Sequence, residues 1–235
     1  ERTAERLGVA GAKSAAFVVK TLHTGHGGKL SVARVLAGDI ADGATVSGGD
    51  AAEERVAGVF SLRGEEAQKR SLARAGDLVA LGRLEGVKTG DTISTEKGGV
   101  TPIEGPAAPA PVLASGIGLR DRKDEVKLSA ALCKLVEEDP SLVVEHKADT
   151  HQVLLAGQGE MHLRVAFERL ARKYGVVVER QKRQVPYKET IRKPVEVRGR
   201  HKKQSGGHGQ FAVVQLRVSP LPPGSGFEFV DSVTG

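Results

Sequence analysis

Residues 101–111, TPIEGPAAPAP, hold four of the chain's ten prolines. Proline locks φ and lacks the backbone N–H, so this stretch cannot run through the interior of a helix. The hydrophobic rhythm differs on its two sides. Before it lie short apolar runs, AAFVVK, KLSVARVL, ATVSG, ERVAGVFSL, DLVALGRL and DTIST, separated by turn signals such as AGDIADG and VKTGD. Runs of this length and spacing predict a small β-barrel over residues 1–105.

After the proline segment the period lengthens. Residues 112–119 read as a strand. Asp121 and Asp124 offer an N-cap and an acidic first turn for a helix reaching about Glu138, with Leu128, Leu132, Leu135 and Val136 as its apolar stripe and Pro140 as its stop. Two strands follow, over 141–147 and 153–156, joined by ADTHQ. A second helix over 160–174 presents Leu163, Phe167, Leu170 and Tyr174 and halts at Gly175. A last strand, VVVER, completes βαββαβ over residues 106–183, the order of the ferredoxin-like fold. Beyond it, residues 184–235 read as strands again, YKETIRKPVEVRGRHKK and FAVVQLRVSPL around the loop QSGGHGQ. About fifty residues make a thin core, so the chain is expected to end inside a third, α+β domain.

Composition narrows the function classes. The 235 residues are 39% hydrophobic, enough for packed cores. No apolar run approaches the ~18 residues of a membrane span, and the N-terminal residues are too charged for a signal peptide, so a cytoplasmic protein without a membrane partner is expected. The single cysteine, Cys133, allows no internal disulfide and falls in an apolar helical pattern, which predicts a small buried hydrophobe. Aromatics are 3% with no tryptophan, so contact with nucleic acid would be ionic more than stacked.

Charge is uneven. Basic and acidic residues number 14 and 14 over 1–105, 13 and 11 over 106–183, and 8 and 4 over 184–235. The densest part, 180–203, has ten basic residues against Glu189 and Glu196. Within it Arg192, Lys193, Arg198 and Arg200 alternate along strand-like sequence, which can gather them on one face. Lys202 and Lys203 flank Gln204, Ser205, Gly206, Gly207, His208, Gly209 and Gln210, a loop whose glycines let backbone N–H groups approach a partner. These thirteen residues are the candidate polyanion contacts.

Other motifs carry less. TGHGGKLS, residues 24–31, resembles a phosphate loop, but aligning on Gly28-Lys29 puts His23 at the first glycine and Leu30 at the hydroxyl. A strand follows instead of a helix, so a glycine-rich hairpin between strands at 16–21 and 29–36 is predicted. Glu160 and His162 stand two apart, on different helix faces, which favours packing and capping over catalysis. His23 with His26, and His146 with His151, lack further ligands at metal spacing. No catalytic, cofactor-binding or metal site is expected.

LARAGDLVAL, TGDTI, EEDPSLVV with GQGEMHL, and QVPYKETIRKPVEV through SGGHGQ to PLPPGSGFEFVDSVTG resemble, in one colinear order, segments of elongation factor G, a translation GTPase. The resemblance implies the family's second, barrel domain, its ferredoxin-like third domain and the start of its fourth. It implies a monomer whose partners are the ribosome, through ribosomal RNA and proteins, and tRNA and mRNA. GTP and Mg²⁺ would belong to an upstream domain, because no complete phosphate loop, NKxD or DxxG motif is present here, and this chain would itself be no enzyme. The matching fourth-domain loop enters the decoding site in the family. Two departures, His208 where arginine is usual and Met161 where leucine is usual, point to a paralogue, for which recycling or ribosome protection is the alternative to translocation. A stand-alone RNA- or ribosome-binding module is the other reading.

Overall fold

The computed structural model describes every residue except Glu1, 26–27, Asp50, Glu65, 120–121, Lys188, 204–205, His208 and 234–235, and leaves out the side chains of Ala51, Ala52 and Arg122. The chain divides into two compact units, Glu1–Gln184 and Val185–Gly235.

The first unit opens with a short helix, α1 (Arg2–Arg6), and a nine-stranded antiparallel sheet: β1 (Ser14–Thr24), β2 (Gly28–Ala41), β3 (Thr45–Gly48), β4 (Ala51–Arg55), β5 (Val59–Arg63), β6 (Glu66–Arg70), β7 (Leu72–Arg74), β8 (Leu78–Gly82) and β9 (Thr92–Ser94). The strand order is β4-β3-β9-β1-β2-β8-β5-β6, with β7 on β2. β2 pairs β8 through Leu30–Arg34 and β7 through Asp39–Ala41, so its two halves serve different neighbours. Register shifts in β1 at Ala15/Ala16 and Val18/Lys20 add the local twist that curls such a sheet. Ala16, Val18, Val35, Ile40, Leu81 and Ile93 converge on one buried cluster. The expected barrel is thus a curled sheet around one core whose pairing, among the described residues, ends at β4 and β6 without closing.

The hairpin expectation at 24–28 holds: Thr24 pairs with Gly28 and His23 with Lys29. Three strands escaped the sequence reading. β4 and β6 are polar, AAEER and EAQKR, with β6 exposed along most of its length, and β7, LAR, is only three residues long. β4 and β6 are the sheet's edges, where charge deters pairing with another chain and leaves no alternating apolar signal.

No regular structure interrupts residues 101–112. Then come β10 (Leu113–Leu119), α2 (Glu125–Glu138), β11 (Val143–Lys147), β12 (Gln152–Gly157), α3 (Glu160–Arg172) and β13 (Val178–Gln181). The sheet order is β11-β12-β10-β13, antiparallel throughout, which is the ferredoxin-like arrangement. Leu135, Leu155, Leu163 and Leu170 are fully buried between sheet and helices, each contributing on the order of 1.5–3 kcal/mol. α3 ends as expected: Gly175 takes φ +63°, the left-handed turn that stops the helix, and Val176 N beyond it donates back to Leu170 O at 2.9 Å.

The N-cap offered at Asp121 lies outside the described residues; a 3₁₀ turn, Arg122–Asp124, leads into α2, and Asp124 stands at the N-cap position without a side-chain capping bond. One expectation fails in α2. Cys133 is exposed. It lies about 100° round from Leu132, on the side of Val126, which is 83% exposed, so the buried stripe through Leu128, Ala131, Leu132 and Leu135 passes it by.

The second unit is a two-stranded hairpin, β14 (Val195–Lys203) and β15 (Gln210–Val218), exposed along both strands. The predicted strand over YKETIRKPVEVRGRHKK starts only at Val195, since Pro194 has no N–H for the ladder and disfavours helical backbone at Lys193.

Candidate nucleic-acid interface

Alternation along β14 puts Arg198, Arg200 and Lys202 on one face, about 7 Å apart from one to the next. β15 completes that face through its register: Phe211 stands across from Lys202, Val213 from Arg200, Gln215 from Arg198 and Arg217 from Glu196. Arg200 lies over the Phe211 ring at 5.5 Å from its centroid, a diagonal cross-strand stack. Arg217 Nε reaches Glu196 Oε1 at 3.7 Å, an exposed pair that leaves the other three cations to solvent.

The opposite face is apolar, with Val195, Val197, Val214, Leu216 and Val218 about half exposed, and Lys203 and Gln210 belong to it. The predicted set therefore separates. Arg198, Arg200 and Lys202 come together. Arg192 and Lys193 sit in a bend before the strand, so their alternation with the arginines of β14 is not realised. Gly206 and Gly207 take φ +80° and +79° with open space where a Cβ would stand, Gly209 is exposed, and Gln204, Ser205 and His208 lie outside the described residues. Two residues that sequence reading missed, Phe211 and Arg217, join the face through β15. Their signal lay in the hairpin register, which pairs Lys203 with Gln210.

The phosphate-loop lookalike resolves differently. Lys29 is 2% exposed, its Nζ donating to Glu85 O at 2.8 Å and lying 3.4 Å from Glu137 Oε2. His23 Nε2 meets the same Oε2 at 2.7 Å, and His23 N donates to Glu138 Oε1 at 2.6 Å. Lys173 also pairs with Glu138, whose side chain is 4% exposed. The hairpin thus docks by its turn end on the C-terminal end of α2. Glu137 and Glu138 were missed, although position 138 lies three residues beyond Leu135 and seven beyond Ala131, on the buried stripe, where a carboxylate needs a partner. Tyr174 Oη is buried beside the Glu138 carboxylate. Burial and the Glu138 charge push its pKa upward.

At GQGEMHL both imidazole nitrogens are occupied. Gln158 N donates to His162 Nδ1 at 3.0 Å, so the proton sits on Nε2, which donates to Asp139 Oδ2 at 3.0 Å. Burial works to raise the Asp139 pKa, but bonds from Ser141 Oγ, His162 and Ser141 N outweigh it and hold the carboxyl below its ordinary value. Glu160 pairs with Arg180, Oε2 to Nη2 at 3.0 Å, and is lowered chiefly by that bond.

Comparison with known proteins agrees along the chain. Residues 13–96 match the family model for elongation factor G domain 2, residues 108–182 that for domain III and residues 183–235 that for domain IV. An elongation factor G-like protein of Synechocystis is 46% identical over 220 residues, covering 94% of this chain and 32% of its own length. An elongation factor G-like protein of Mycobacterium tuberculosis is 39% identical over 237 residues, covering 94% and 33%. A crystal structure from Thermus thermophilus superposes with a TM-score of 0.74 at 34% identity, covering 92% of this chain and 32% of that one. The chain spans about a third of the length of these relatives. Three consecutive domain matches in one order, together with the ferredoxin-like sheet and the curled β sheet, place this chain in the elongation factor G family.

Proposed function

We propose that this chain is the ribosome-contacting middle of a GTP-dependent translation factor, with the Arg198, Arg200 and Lys202 face and the adjoining glycine loop gripping RNA phosphates. The observation that carries the reading is the in-register basic face, three cations and an arginine-capped aromatic on an exposed hairpin. Guanidinium and ammonium groups so spaced release counterions from a phosphate backbone, and the Arg200 and Phe211 stack adds a flat surface for a base. Bond-breaking would rest with a GTPase domain of the whole protein, with GTP and Mg²⁺ bound there. The departures at Met161 and His208, and relatives named elongation factor G-like, support a paralogue working in translocation, recycling or protection.

The test is co-sedimentation of the chain with purified ribosomes across a salt series, beside a variant with Arg198, Arg200, Lys202 and Lys203 changed to alanine. Binding should weaken with salt at a log-log slope of roughly −0.7 to −0.9 per phosphate contacted, and the variant's slope should be shallower by about 2 to 3. An unchanged slope refutes the RNA assignment. The chain alone should neither bind GTP saturably at micromolar concentration nor hydrolyse it; either activity overturns that part.

A further inference from the structure

A cavity of about 310 Å³ opens where the β1–β2 hairpin meets the two helices of the βαββαβ unit, walled by Thr24, Gly25, Lys127, Lys134, Lys173 and Tyr174 among others. Every formally charged side chain lining it is basic. Glu137 and Glu138 stand behind the wall, engaged by His23, Lys29 and Lys173. Lys127 Nζ donates to Gly175 O at 2.9 Å and keeps its charge uncancelled. Lys134 has neither a hydrogen bond nor an ion pair among the described residues.

We propose that this cavity is an anion site for a phosphate group, held by Lys134 and Lys127 with the hairpin as its far wall. It shares no residue with the β14 face and goes beyond the ribosome reading, which can fail or hold independently. Lysine ammonium groups with rotatable donors suit a phosphate, and the volume, at the lower end of small-ligand sites, leaves room for a small group attached to it. The site owes nothing to a phosphate loop: Lys29, the lysine that motif would use, is buried and engaged by Glu85 O and Glu137. A ligand here would touch both the hairpin and the helices and tighten their docking by mass action.

The experiment is an amide NMR titration of the whole chain with inorganic phosphate, a nucleoside monophosphate and a short RNA oligonucleotide, each against chloride at matched ionic strength. Phosphate and the monophosphate should shift Gly25, Lys134 and Tyr174 saturably where chloride does not. Lys134 is exposed and unpartnered, so Lys134→Ala should leave the spectrum folded while weakening binding about tenfold, and Lys134→Glu should abolish it. Lys127→Met is the second variant and should weaken binding in the same direction. RNA that shifts these same amides and is displaced by the monophosphate identifies a strand phosphate as the natural source. Equal shifts with chloride, unchanged affinity in Lys134→Glu, or shifts confined to β14 would overturn the site.

Discussion

Glu138 ties the two parts of the first unit together. Its carboxylate accepts from His23 N and pairs with Lys173 while almost wholly buried. Glu138→Ala removes both bonds and leaves a buried N–H unsatisfied, which should cost about 2–4 kcal/mol, read as a lower urea midpoint. Gly38 tests the sheet in another way. Its φ is +59°, and a Cβ there would stand 1.9 Å from Lys13 O. Neither term is relieved by moving a side chain, so Gly38→Ala should destabilise by roughly 2 kcal/mol or more, checked by thermal unfolding. Gly206→Ala meets open space and has only the left-handed φ against it, so its cost should be about 1 kcal/mol or less.

The ends of α2 and α3 are joined by Asp139 and His162, and that clamp has a pH signature. Asp139 has a native pKa below its unfolded value of 3.8, so it binds fewer protons folded than unfolded near that pH. Its contribution is complete above the unfolded value and is lost as pH falls through the native one. Asp139→Asn should therefore lower stability at neutral pH and flatten the loss seen in acid unfolding below about pH 4, in urea melts taken at several pH values. An acid limb identical to that of the unmodified chain would rule out the clamp. Among the described residues, the hairpin β14–β15 has no comparable anchor in its own unit. Its amides should exchange far ahead of those in β1 and β2, because an isolated two-stranded hairpin without a covered face is marginal in water. Hydrogen exchange followed by mass spectrometry reads this directly, and equal protection in the two hairpins would contradict it.

Taken whole, the molecule joins a β sheet, a βαββαβ unit and an exposed basic hairpin in one chain, the first two within a single compact unit. The charge gradient along the sequence becomes a spatial one on the last hairpin, where alternation sorts cations from apolar residues across the two faces. Docking between hairpin β1–β2 and α2 makes the first unit continuous, so a disturbance at Lys29 or Glu137 should be felt on both sides. Lys29→Ala should expose both the turn end of the hairpin and the end of α2 to exchange together, and protection lost on one side alone would argue against the docking.

Local periodicity determined most of this architecture. Helices α2 and α3, their order with the strands, the Gly175 stop and the break at 101–112 all follow from spacing of apolar residues, glycine and proline, because those signals act within a few residues of chain. Charge content likewise marked the 180–203 region without reference to a fold. What only the tertiary structure decided concerns partners distant in sequence. The polar edges β4 and β6 depend on pairing energy and not on burial. Cys133 turned outward because the helix phase, set by packing on the sheet, left it off the stripe. Arg200 met Phe211 through cross-strand register, and Lys29 met Glu137, 108 positions away along the chain, because burying an ammonium requires a carboxylate or carbonyl wherever the fold can bring one.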